Sequence, residues 1–388
     1  MRITKITHSE APIASKISNA VIDFSRMTIS IVAVHSDLVV DGEPVVGYGF
    51  HSNGRYAQSG LLATRILPRV EEAPPEQLLD PATGIIDPVR VQRVVMANEK
   101  PGGHGDRAVA AGTLDMAMWD LAAKAAGKPL YRLLHERYGR GGQPASSVWV
   151  YAAGGYYHPE KPLQGLRDEI RGYLDTGYRD VKIKIGGASL KEDLERIETV
   201  LGVLPSGSRL AVDANGRFDV GEALRYAWAL SDYDLLWYEE PCDPLDYQTH
   251  AVVADEFDGT LATGENLFSV PDVRNLRRYA GLRPHRDVLQ MDPSLSYGIP
   301  EYVGMLRELA AGGWSPERFC PHGGNQINLA LAGAFGLGGC ESYPMVFEPF
   351  GGFAESTPVT GGYVGLPEEP GLGVELKPAL RDLLHDRL

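Results

Sequence analysis

The sequence predicts an α/β protein in which a (β/α) barrel follows a small N-terminal α+β domain. The chain has 388 residues, which is more than a single hydrophobic core usually organises. From about residue 145, short apolar segments alternate with segments of helical periodicity, as in repeated βα units. Ionisable residues recur at the ends of those apolar segments, mostly 26 to 30 residues apart. One βα unit of a barrel takes roughly 30 residues.

The first 140 residues are predicted to form the α+β domain, because strands come first and helices follow. Apolar residues 26–35 and 44–50 flank the turn at Asp41-Gly42, which is typical of a hairpin or meander. Helices are predicted over residues 60–67, 88–98 and 107–126. Gly127 and Pro129 follow the last of them, and both residue types commonly stop a helix.

A glycine-rich loop over residues 98–108 (NEKPGGHGDRA) separates the last two predicted helices. It follows no strand and lacks the spacing of a phosphate-binding P-loop. Two interpretations stay open for this loop, a plain surface loop and a lid over a substrate.

Eight short strands are predicted between about residues 145 and 350. They cover residues 147–153, 180–185, 209–214, 235–240, 260–265, 287–292, 318–322 and 336–342. A barrel is favoured over a doubly wound open sheet, because the glycine-rich first turn of a dinucleotide-binding fold is missing. Residues 351–388 are rich in glycine and proline, and we expect them to pack against the first domain.

The composition indicates an ordinary globular protein. The formal net charge is −14 at pH 7 and the sequence pI is about 5.2, so we expect no nucleic-acid partner and no attraction to an anionic membrane. No apolar segment reaches the roughly 18 residues needed to cross a bilayer, and the N-terminus lacks the pattern of a signal peptide. Cys242, Cys320 and Cys340 show no metal-ligand spacing, which favours reduced thiols and a cytoplasmic location.

Seven ionisable residues lie at the C-terminal ends of successive predicted strands, from the second strand to the eighth. They are Lys184, Asp213, Glu239, Glu265, Asp292, His322 and Glu341. In a (β/α) barrel the C-terminal ends of all strands meet at one face, and that face carries the active site. The sequence therefore predicts an active site built from these side chains.

Three carboxylates on adjacent predicted strands, Asp213, Glu239 and Glu265, form a candidate metal site. Three clustered negative charges repel one another unless a cation lies among them or one of them is protonated. Hard oxygen ligands without a nearby cysteine or histidine favour Mg²⁺ or Mn²⁺ over zinc. Separate salt bridges to neighbouring loops are the alternative. We expect Glu240 on the opposite side of its strand, paired with a different cation.

Lys182 and Lys184 lie two residues apart on a predicted strand, so both side chains point the same way. Barrel interiors are usually filled with aliphatic side chains, so two lysines there indicate a chemical role. Like charge and a nearby dication lower the pKa of a lysine and allow its neutral amine to act as a base. The alternative is a pair of solvated lysines on an exposed edge strand, and the carboxylates that follow outweigh it.

His322 and Asp292 end neighbouring predicted strands. A carboxylate that accepts a hydrogen bond from one ring nitrogen fixes the tautomer of a histidine and leaves the other nitrogen for acid–base chemistry. An ordinary loop histidine is the alternative for the segment CPHGGN. The position of Asp292 favours the catalytic interpretation.

As a set, these motifs resemble those of the enolase superfamily, in its mandelate racemase-like subgroup and, within it, the branch that dehydrates D-tartrate. The motifs are Lys182-Ile183-Lys184, Asp213-Ala214-Asn215, Glu239-Glu240-Pro241, Gly264-Glu265-Asn266 and the pair Asp292 and His322. The resemblance covers the whole chain. It implies a modified TIM barrel, (β/α)₇β, over residues 145–350, an α+β capping domain over residues 1–140, and a C-terminal segment over residues 351–388 that returns to the cap. It also implies one Mg²⁺ per subunit and a homo-oligomer.

The chemistry that the resemblance implies is removal of the proton α to a carboxylate, followed by loss of a β-hydroxyl. In the family, the lysine of the second strand acts on α-carbons of S configuration, and both carbons of D-tartrate are S. The resemblance therefore implies Lys184 as the base, His322 as the acid for the leaving hydroxyl, and oxaloacetate as the product. Lys182 would neutralise the substrate carboxylate or enediolate, and a protonated Glu341 would donate a hydrogen bond to it.

Substrate choice in this family comes from cap loops that close over the barrel, here residues 17–23 and 49–60, with Lys100 and His104 as further candidates. We expect Arg55, Lys100 or Tyr156 to bind the distal carboxylate of a diacid. Three alternatives stay open. They are a racemase or epimerase with the same lysine and histidine, a dehydratase of a longer acid sugar, and a metal-binding barrel without catalysis.

Overall fold

An antiparallel three-stranded sheet opens the computed structural model, which describes residues 1–13, 15–139, 141–158 and 163–388. Its strands are β1 (Ile3–Pro12), β2 (Thr28–Val40) and β3 (Glu43–Phe50), in the order β1-β2-β3. β2 and β3 are the predicted pair. β1 was not predicted, because its sequence carries no apolar run. Only two of its side chains, Ile6 and Ala11, are buried.

A layer of helices covers this sheet. The helices are α1 (Ser59–Leu61), continued through a π-helical turn (Leu62–Ile66) into α2 (Leu67–Glu71), then α3 (Pro75–Leu78), α4 (Pro88–Val95), α5 (Asp106–Ala125) and α6 (Leu130–Tyr138). α5 is buried along most of its length. It lies so close to β3 that a Cβ on Gly47 would come within 2.3 Å of the Ala117 carbonyl oxygen. α4 ends before the predicted residue 98, because Asn98 has a left-handed backbone with φ of 60°.

A parallel sheet curls into a barrel in the second part of the chain. Its strands are β4 (Ser147–Gly154), β5 (Asp180–Lys184), β6 (Leu210–Asp213), β7 (Tyr238–Glu239), β8 (Leu261–Thr263), β9 (Val288–Leu289) and β10 (Cys340–Ser342). They pair in the order β10-β4-β5-β6-β7-β8-β9. The helices between them are α7 (Leu163–Asp175), α8 (Leu190–Leu201), α9 (Val220–Leu230), α10 (Tyr247–Glu256), α11 (Val270–Tyr279), α12 (Ile299–Ala311) and α13 (Gln326–Phe335). The predicted fold class is confirmed.

The strand at the seventh position of the barrel is shorter than the predicted strand over residues 318–322. A 3₁₀ turn (Pro316–Arg318) precedes a single parallel bridge between Phe319 and Leu289. The Glu341 N–H then donates to the Pro321 carbonyl at 3.3 Å. The eighth strand begins at Cys340 instead of residue 336, because Gly336 ends α13 with φ of 61°.

The C-terminal segment contacts both parts of the chain. β11 (Tyr363–Gly365) pairs antiparallel with β4, and a 3₁₀ turn (Val374–Leu376) leads into α14 (Pro378–Arg387). The Leu372 N–H donates to the Asp120 carboxylate of α5 at 2.6 Å. The domain limits at residues 140 and 350 stay a prediction.

Among the described residues, no helix is both long and apolar enough to span a bilayer. Cys242, Cys320 and Cys340 are free and buried. The cytoplasmic location stays a prediction.

Candidate active site

Strand register brings the predicted site residues to one end of the barrel. Lys184 pairs with Asp213 across β5 and β6, and Asp213 pairs with Glu239 across β6 and β7. Glu265 lies two residues beyond the end of β8. Because the parallel strands share one direction, their C-terminal ends meet at the same face. The side chain of Glu265 is 15% exposed, and the other predicted strand-end residues are buried.

The three predicted metal ligands converge at this face. One carboxylate oxygen from each of Asp213, Glu239 and Glu265 lies within 4.8 Å of the other two. Burial raises the pKa of Asp213, but Lys184 and Lys182 outweigh it and lower the pKa to about 2. Burial and the charge of Asp213 raise the pKa of Glu239 to about 7. The raised pKa of Glu239 reflects the repulsion between neighbouring carboxylates.

The groups around this trio fit a divalent cation. Six carboxyl groups and three basic groups meet here: Asp213, Glu239, Glu240, Glu265, Asp292 and Glu341 against Lys182, Lys184 and His322. The excess of acidic over basic groups is unfavourable in a buried site without a further cation. Oxygen donors from three carboxylates suit the hard ion Mg²⁺, and Mn²⁺ accepts the same donors. The residues present therefore fit the expected metal.

Glu240 differs from its prediction. β7 ends at Glu239, and Glu240 has a left-handed backbone with φ of 40°, so strand alternation no longer sets its direction. Its carboxyl group accepts the Asn266 side-chain N–H at 2.9 Å, and no ion pair of Glu240 occurs among the described residues. Burial, together with the charges of Glu265 and Asp213, raises the pKa of Glu240 well above its ordinary value. The expectation that Glu240 pairs with a separate cation is wrong.

Lys182 and Lys184 lie inside the barrel, since β5 pairs with β4 on one side and β6 on the other. The edge-strand alternative is therefore wrong. Lys184 Nζ lies 2.5 Å from Asp213 Oδ2, and Lys182 Nζ lies 2.5 Å from Glu239 Oε1 and 2.7 Å from Glu341 Oε1. Burial lowers the pKa of both lysines, but these carboxylates outweigh it and raise both pKa values. The expected lowering of the pKa by like charge is smaller than the effect of these ion pairs.

Glu341 is an ionised acceptor in this arrangement, whereas the resemblance implied a protonated donor. Its Oε2 accepts the Gly323 N–H at 2.9 Å, and its Oε1 faces Lys182. Burial raises the pKa of Glu341, but Lys182 and His322 outweigh it and lower the pKa. Glu341 therefore holds Lys182 and the loop after His322 in place.

His322 and Asp292 form a buried hydrogen-bonded pair. His322 Nδ1 lies 3.1 Å from Asp292 Oδ2, and Asp292 Oδ1 accepts the N–H and the O–H of Ser294, each at 2.8 Å. Because a carboxylate only accepts, Nδ1 carries the proton and Nε2 faces the site. Nε2 lies 3.6 Å from Glu265 Oε2 and 3.4 Å from the Tyr343 hydroxyl. Burial lowers the pKa of His322, but Glu265 and Asp292 outweigh it and raise the pKa to about 10.

Two of the predicted substrate-binding residues, Tyr156 and Arg55, lie at the barrel mouth. The Tyr156 ring centroid lies 5.2 Å from Lys184 Nζ. Arg55 Nη2 donates to Asn266 Oδ1 at 2.5 Å, and the guanidinium lies 5.2 Å from the centroid of the Phe268 ring. The cap loop that carries Arg55 therefore reaches the segment that follows β8.

The other predicted cap loop, over residues 17–23, also lies on the barrel. Ser18 and Tyr157 exchange backbone hydrogen bonds of 3.3 and 2.8 Å. A Cβ on Gly186 would lie 3.5 Å from the Ala20 side chain. Both contacts hold this loop beside the end of β5, which carries the two lysines.

Lys100 and His104 lie on the glycine-rich loop, which is tied to the N-terminal helices. Lys100 is exposed, and His104 Nδ1 lies 3.0 Å from the Tyr297 hydroxyl. Ion pairs of 2.6 to 2.8 Å join Glu99 of this loop to three arginines: Arg65, Arg69 and Arg107. These contacts tie the loop to the N-terminal helices. The choice between a plain surface loop and a lid stays open, and a role of Lys100 in substrate binding stays a prediction.

Trp237, Gln290 and Tyr343 are among the side chains that touch the predicted residues and that sequence reasoning missed. Trp237 Nε1 and Gln290 Nε2 each donate to Glu239 Oε2 at 2.8 Å, and the Tyr343 hydroxyl contacts His322. Each lies two residues from a predicted site residue, at positions 237 and 239, 290 and 292, and 341 and 343. Since residues i and i+2 of an extended segment share a face, spacing by two from a predicted residue is the signal that could have found them.

Residues 165–380, more than half of the chain, match the family model described as enolase C-terminal domain-like. This chain belongs to the enolase superfamily. It is 33% identical to 3,6-anhydro-α-L-galactonate cycloisomerase of Streptomyces coelicolor over 71% of each chain. It is 27% identical to L-talarate/galactarate dehydratase of Salmonella typhimurium over 97% of this chain and 89% of the relative.

A solved member of the superfamily shares the fold over nearly the whole chain. It is L-talarate dehydratase from Polaromonas sp. JS666, complexed with Mg and L-glucarate. The TM-score is 0.75 at 26% identity, and the match covers 95% of this chain and 92% of the other. Superfamily membership confirms the predicted barrel, and the names of the relatives agree with the prediction of an enzyme.

Proposed function

We propose that this superfamily member is a Mg²⁺-dependent acid-sugar dehydratase that converts D-tartrate to oxaloacetate and water. The observation that carries the proposal is the position of Lys184 and of the pair His322 and Asp292, which border the carboxylate trio from the second and seventh strand positions. A base and an acid beside one cation site are the groups that elimination of a β-hydroxyl needs. Relatives named arabinonate dehydratase and L-talarate/galactarate dehydratase support this reaction class.

The carboxylates of Asp213, Glu239 and Glu265 would hold the cation. When bound, Mg²⁺ supplies a Lewis acid that offsets the charge of the substrate carboxylate and the charge added on loss of the α-proton. Lys182 places an ammonium group 2.5 Å from Glu239, beside the proposed metal site, and we assign it to the same substrate carboxylate. Fixed positive charge at the point where negative charge develops stabilises the transition state more than the ground state.

Lys184 removes the α-proton. The proton passes from the α-carbon to Nζ, and the electron pair of the C–H bond moves into the carboxylate to give an enediolate. The contact of Nζ with Asp213 Oδ2 favours the charged ammonium, so reducing the negative charge on Asp213 lowers the pKa of Lys184 and frees the amine. The buried ring of Tyr156 covers this amine on one side.

His322 protonates the leaving hydroxyl. As the enediolate collapses, the β-carbon–oxygen bond breaks and Nε2 gives its proton to the departing oxygen, which leaves as water. Asp292 keeps its hydrogen bond to Nδ1 throughout, so the neutral imidazole retains the orientation in which Nε2 faces the substrate. The enol that remains tautomerises to the 2-keto acid.

Arg55 binds the distal carboxylate of the substrate. A diacid that presents one carboxylate to the cation needs a cationic donor for the other. Arg55 is a half-buried guanidinium on the cap loop, and its partner Asn266 directly follows Glu265. Tyr156, beside Lys184, offers a further hydroxyl donor.

A screen of mono- and diacid sugars with Mg²⁺, monitored by 2-keto acid formation, tests the proposed function. We expect D-tartrate to be converted to oxaloacetate. Turnover of a six-carbon diacid with no turnover of D-tartrate would overturn the substrate assignment and leave the reaction class in place. Deuterium incorporation at the α-carbon without any keto acid would instead indicate a racemase or epimerase.

A further inference from the structure

The cap loop over residues 49–60 contacts the barrel next to the residues that hold His322. The Ser52 N–H donates to Ser294 Oγ at 3.0 Å, and the two hydroxyl oxygens are also 3.0 Å apart. Ser52 is 2% exposed and Ser294 is fully buried. The N-terminal domain therefore contacts the same serine that donates to Asp292.

The direction of each hydrogen bond in this group is set by what each atom can donate. Ser294 has one hydroxyl proton, and the Asp292 carboxylate can only accept it, at 2.8 Å. Ser294 Oγ must therefore accept from the Ser52 hydroxyl. Ser52 Oγ in turn accepts the Asn325 side-chain N–H at 3.1 Å. A directed chain thus runs from Asn325 through Ser52 and Ser294 to Asp292, whose other oxygen holds His322.

The N-terminal domain fixes the position of Ser52. His51 Nε2 accepts the Ser30 N–H at 2.9 Å, so Nδ1 carries the proton and donates to the Ser52 carbonyl at 2.8 Å. Burial lowers the pKa of His51 to about 4, so the ring is neutral and this tautomer persists at ordinary pH. The histidine therefore anchors the Ser52 backbone to β2.

The packing around Gly323 leaves the side chains of this hydrogen-bond chain little room to move. Gly323 directly follows His322 and has φ of 111°. A Cβ there would lie 2.3 Å from Ser52 Oγ and 2.6 Å from Asp292 Oδ2. The Ser52 hydroxyl is thus packed against the backbone of the histidine loop as well as linked to Asp292.

We propose that Ser52 is a positioning residue through which the capping domain sets the orientation of Asp292 and His322. The inference rests on the proposed dehydratase reaction, in which His322 delivers a proton from Nε2. Correct docking of the cap loop aligns that nitrogen with the leaving hydroxyl. Lys184, on β5, is not part of this hydrogen-bond chain, so removal of the α-proton does not depend on Ser52.

The first test separates the two proton transfers in D₂O with Mg²⁺. We expect Ser52→Ala to slow 2-keto acid formation roughly tenfold, while deuterium still enters the α-carbon of recovered substrate. Ser294→Ala should act likewise. The double variant should be no slower than Ser294→Ala, because the effects of substitutions within one hydrogen-bond chain are not additive. A wild-type ratio of exchange to elimination in Ser52→Ala, or full additivity, would overturn the proposal.

Ser36→Ala is the matched control. Ser36 is a buried serine of the same domain, and it donates to the Val45 carbonyl at 2.8 Å. Ser36→Ala should remove a similar buried hydrogen bond without changing the ratio of exchange to elimination. Thermal unfolding of all variants checks that the fold is intact.

A second readout needs no turnover and keeps the inference separate from the proposed function. The proton on His322 Nδ1 is observable by NMR and is assigned by its loss in His322→Asn. We expect its resonance to shift in Ser52→Ala and to stay in place in Ser36→Ala. An unchanged resonance in Ser52→Ala would overturn the inference, whereas a wild-type enzyme inactive on every acid sugar would overturn only the proposed function.

Discussion

Lys184 Nζ lies 2.5 Å from Asp213 Oδ2, across the register pair that joins β5 to β6. The proposed base thus contacts a proposed metal ligand directly. A cation held by Asp213 would reduce the negative charge that Lys184 meets, so metal binding and release of the lysine proton would be coupled. We therefore expect the Lys184 amine to become a competent base only when the proposed metal site is filled.

Removal of the base should stop proton transfer without removing the metal site. We expect Lys184→Ala to abolish α-proton exchange in D₂O, followed by NMR, because no other amine lies against Asp213 Oδ2 as closely among the described residues. Mg²⁺ binding, measured calorimetrically, should persist. Lys191→Ala removes an 87% exposed lysine and serves as the control. Retained exchange in Lys184→Ala would mean that the base is misassigned.

The pH dependence of stability should report on His322. Its pKa in the folded protein, about 10, lies above the ordinary value of 6.5. A raised pKa stabilises the fold fully below about pH 6.5, and this contribution is lost as the pH rises towards 10. We therefore expect the free energy of unfolding, measured by urea denaturation in EDTA, to fall between pH 6.5 and 10.

The control for this prediction is a histidine on the surface. His322→Asn should flatten the fall in unfolding free energy over this pH range, whereas substitution of the exposed His285 should leave it unchanged. An equally steep fall in His322→Asn would show that another group causes it.

The Tyr343 hydroxyl should support proton delivery by His322. It lies 3.4 Å from Nε2, and Tyr343→Phe keeps the buried ring that packs edge-on against Phe347. We expect kcat for dehydration to fall roughly three- to tenfold, the worth of one hydrogen bond, with little change in Tm. Tyr178→Phe loses a buried hydrogen bond to Ser342 and should leave kcat near wild type. A larger effect of Tyr178→Phe than of Tyr343→Phe would contradict this role.

Substitutions of Arg55 and of Lys100 should differ in their effect on binding of the distal carboxylate. Loss of a charged hydrogen-bond donor costs about 1.5–3 kcal/mol, so Arg55→Met should raise KM for a diacid roughly tenfold or more. Lys100→Ala, on the exposed loop, should leave KM unchanged. Steady-state kinetics with the diacid found in the screen decide between them. The reverse pattern would assign the carboxylate to the glycine-rich loop.

Much of the site could be predicted because strand spacing and strand ends are local properties of a sequence. Lys184, Asp213 and Glu239 meet as expected, since each ends a buried parallel strand. Glu240 was misplaced because the alternation rule assumes an extended backbone, and its φ of 40° breaks that pattern. Glu341 was expected to be protonated, but its ionisation depends on Lys182, which lies on a strand far away in sequence.

The remaining contacts arise only when distant segments pack. Ser52 and Ser294 are 242 residues apart, and neither lies in a motif that indicates chemistry. The closure of the barrel at Phe319 likewise rests on a single bridge to Leu289, whereas the sequence suggested a full strand. Interdomain hydrogen bonds and strand lengths depend on tertiary packing, which periodicity does not encode.

The proposed reaction depends on one divalent cation held by Asp213, Glu239 and Glu265. A crystal grown with Mn²⁺, as a stand-in for Mg²⁺ with strong anomalous scattering, tests it most directly. We predict a single anomalous peak bonded to one oxygen of each of the three carboxylates, and its loss in Asp213→Asn. An empty trio at saturating Mn²⁺, with ordered side chains, would contradict the claim.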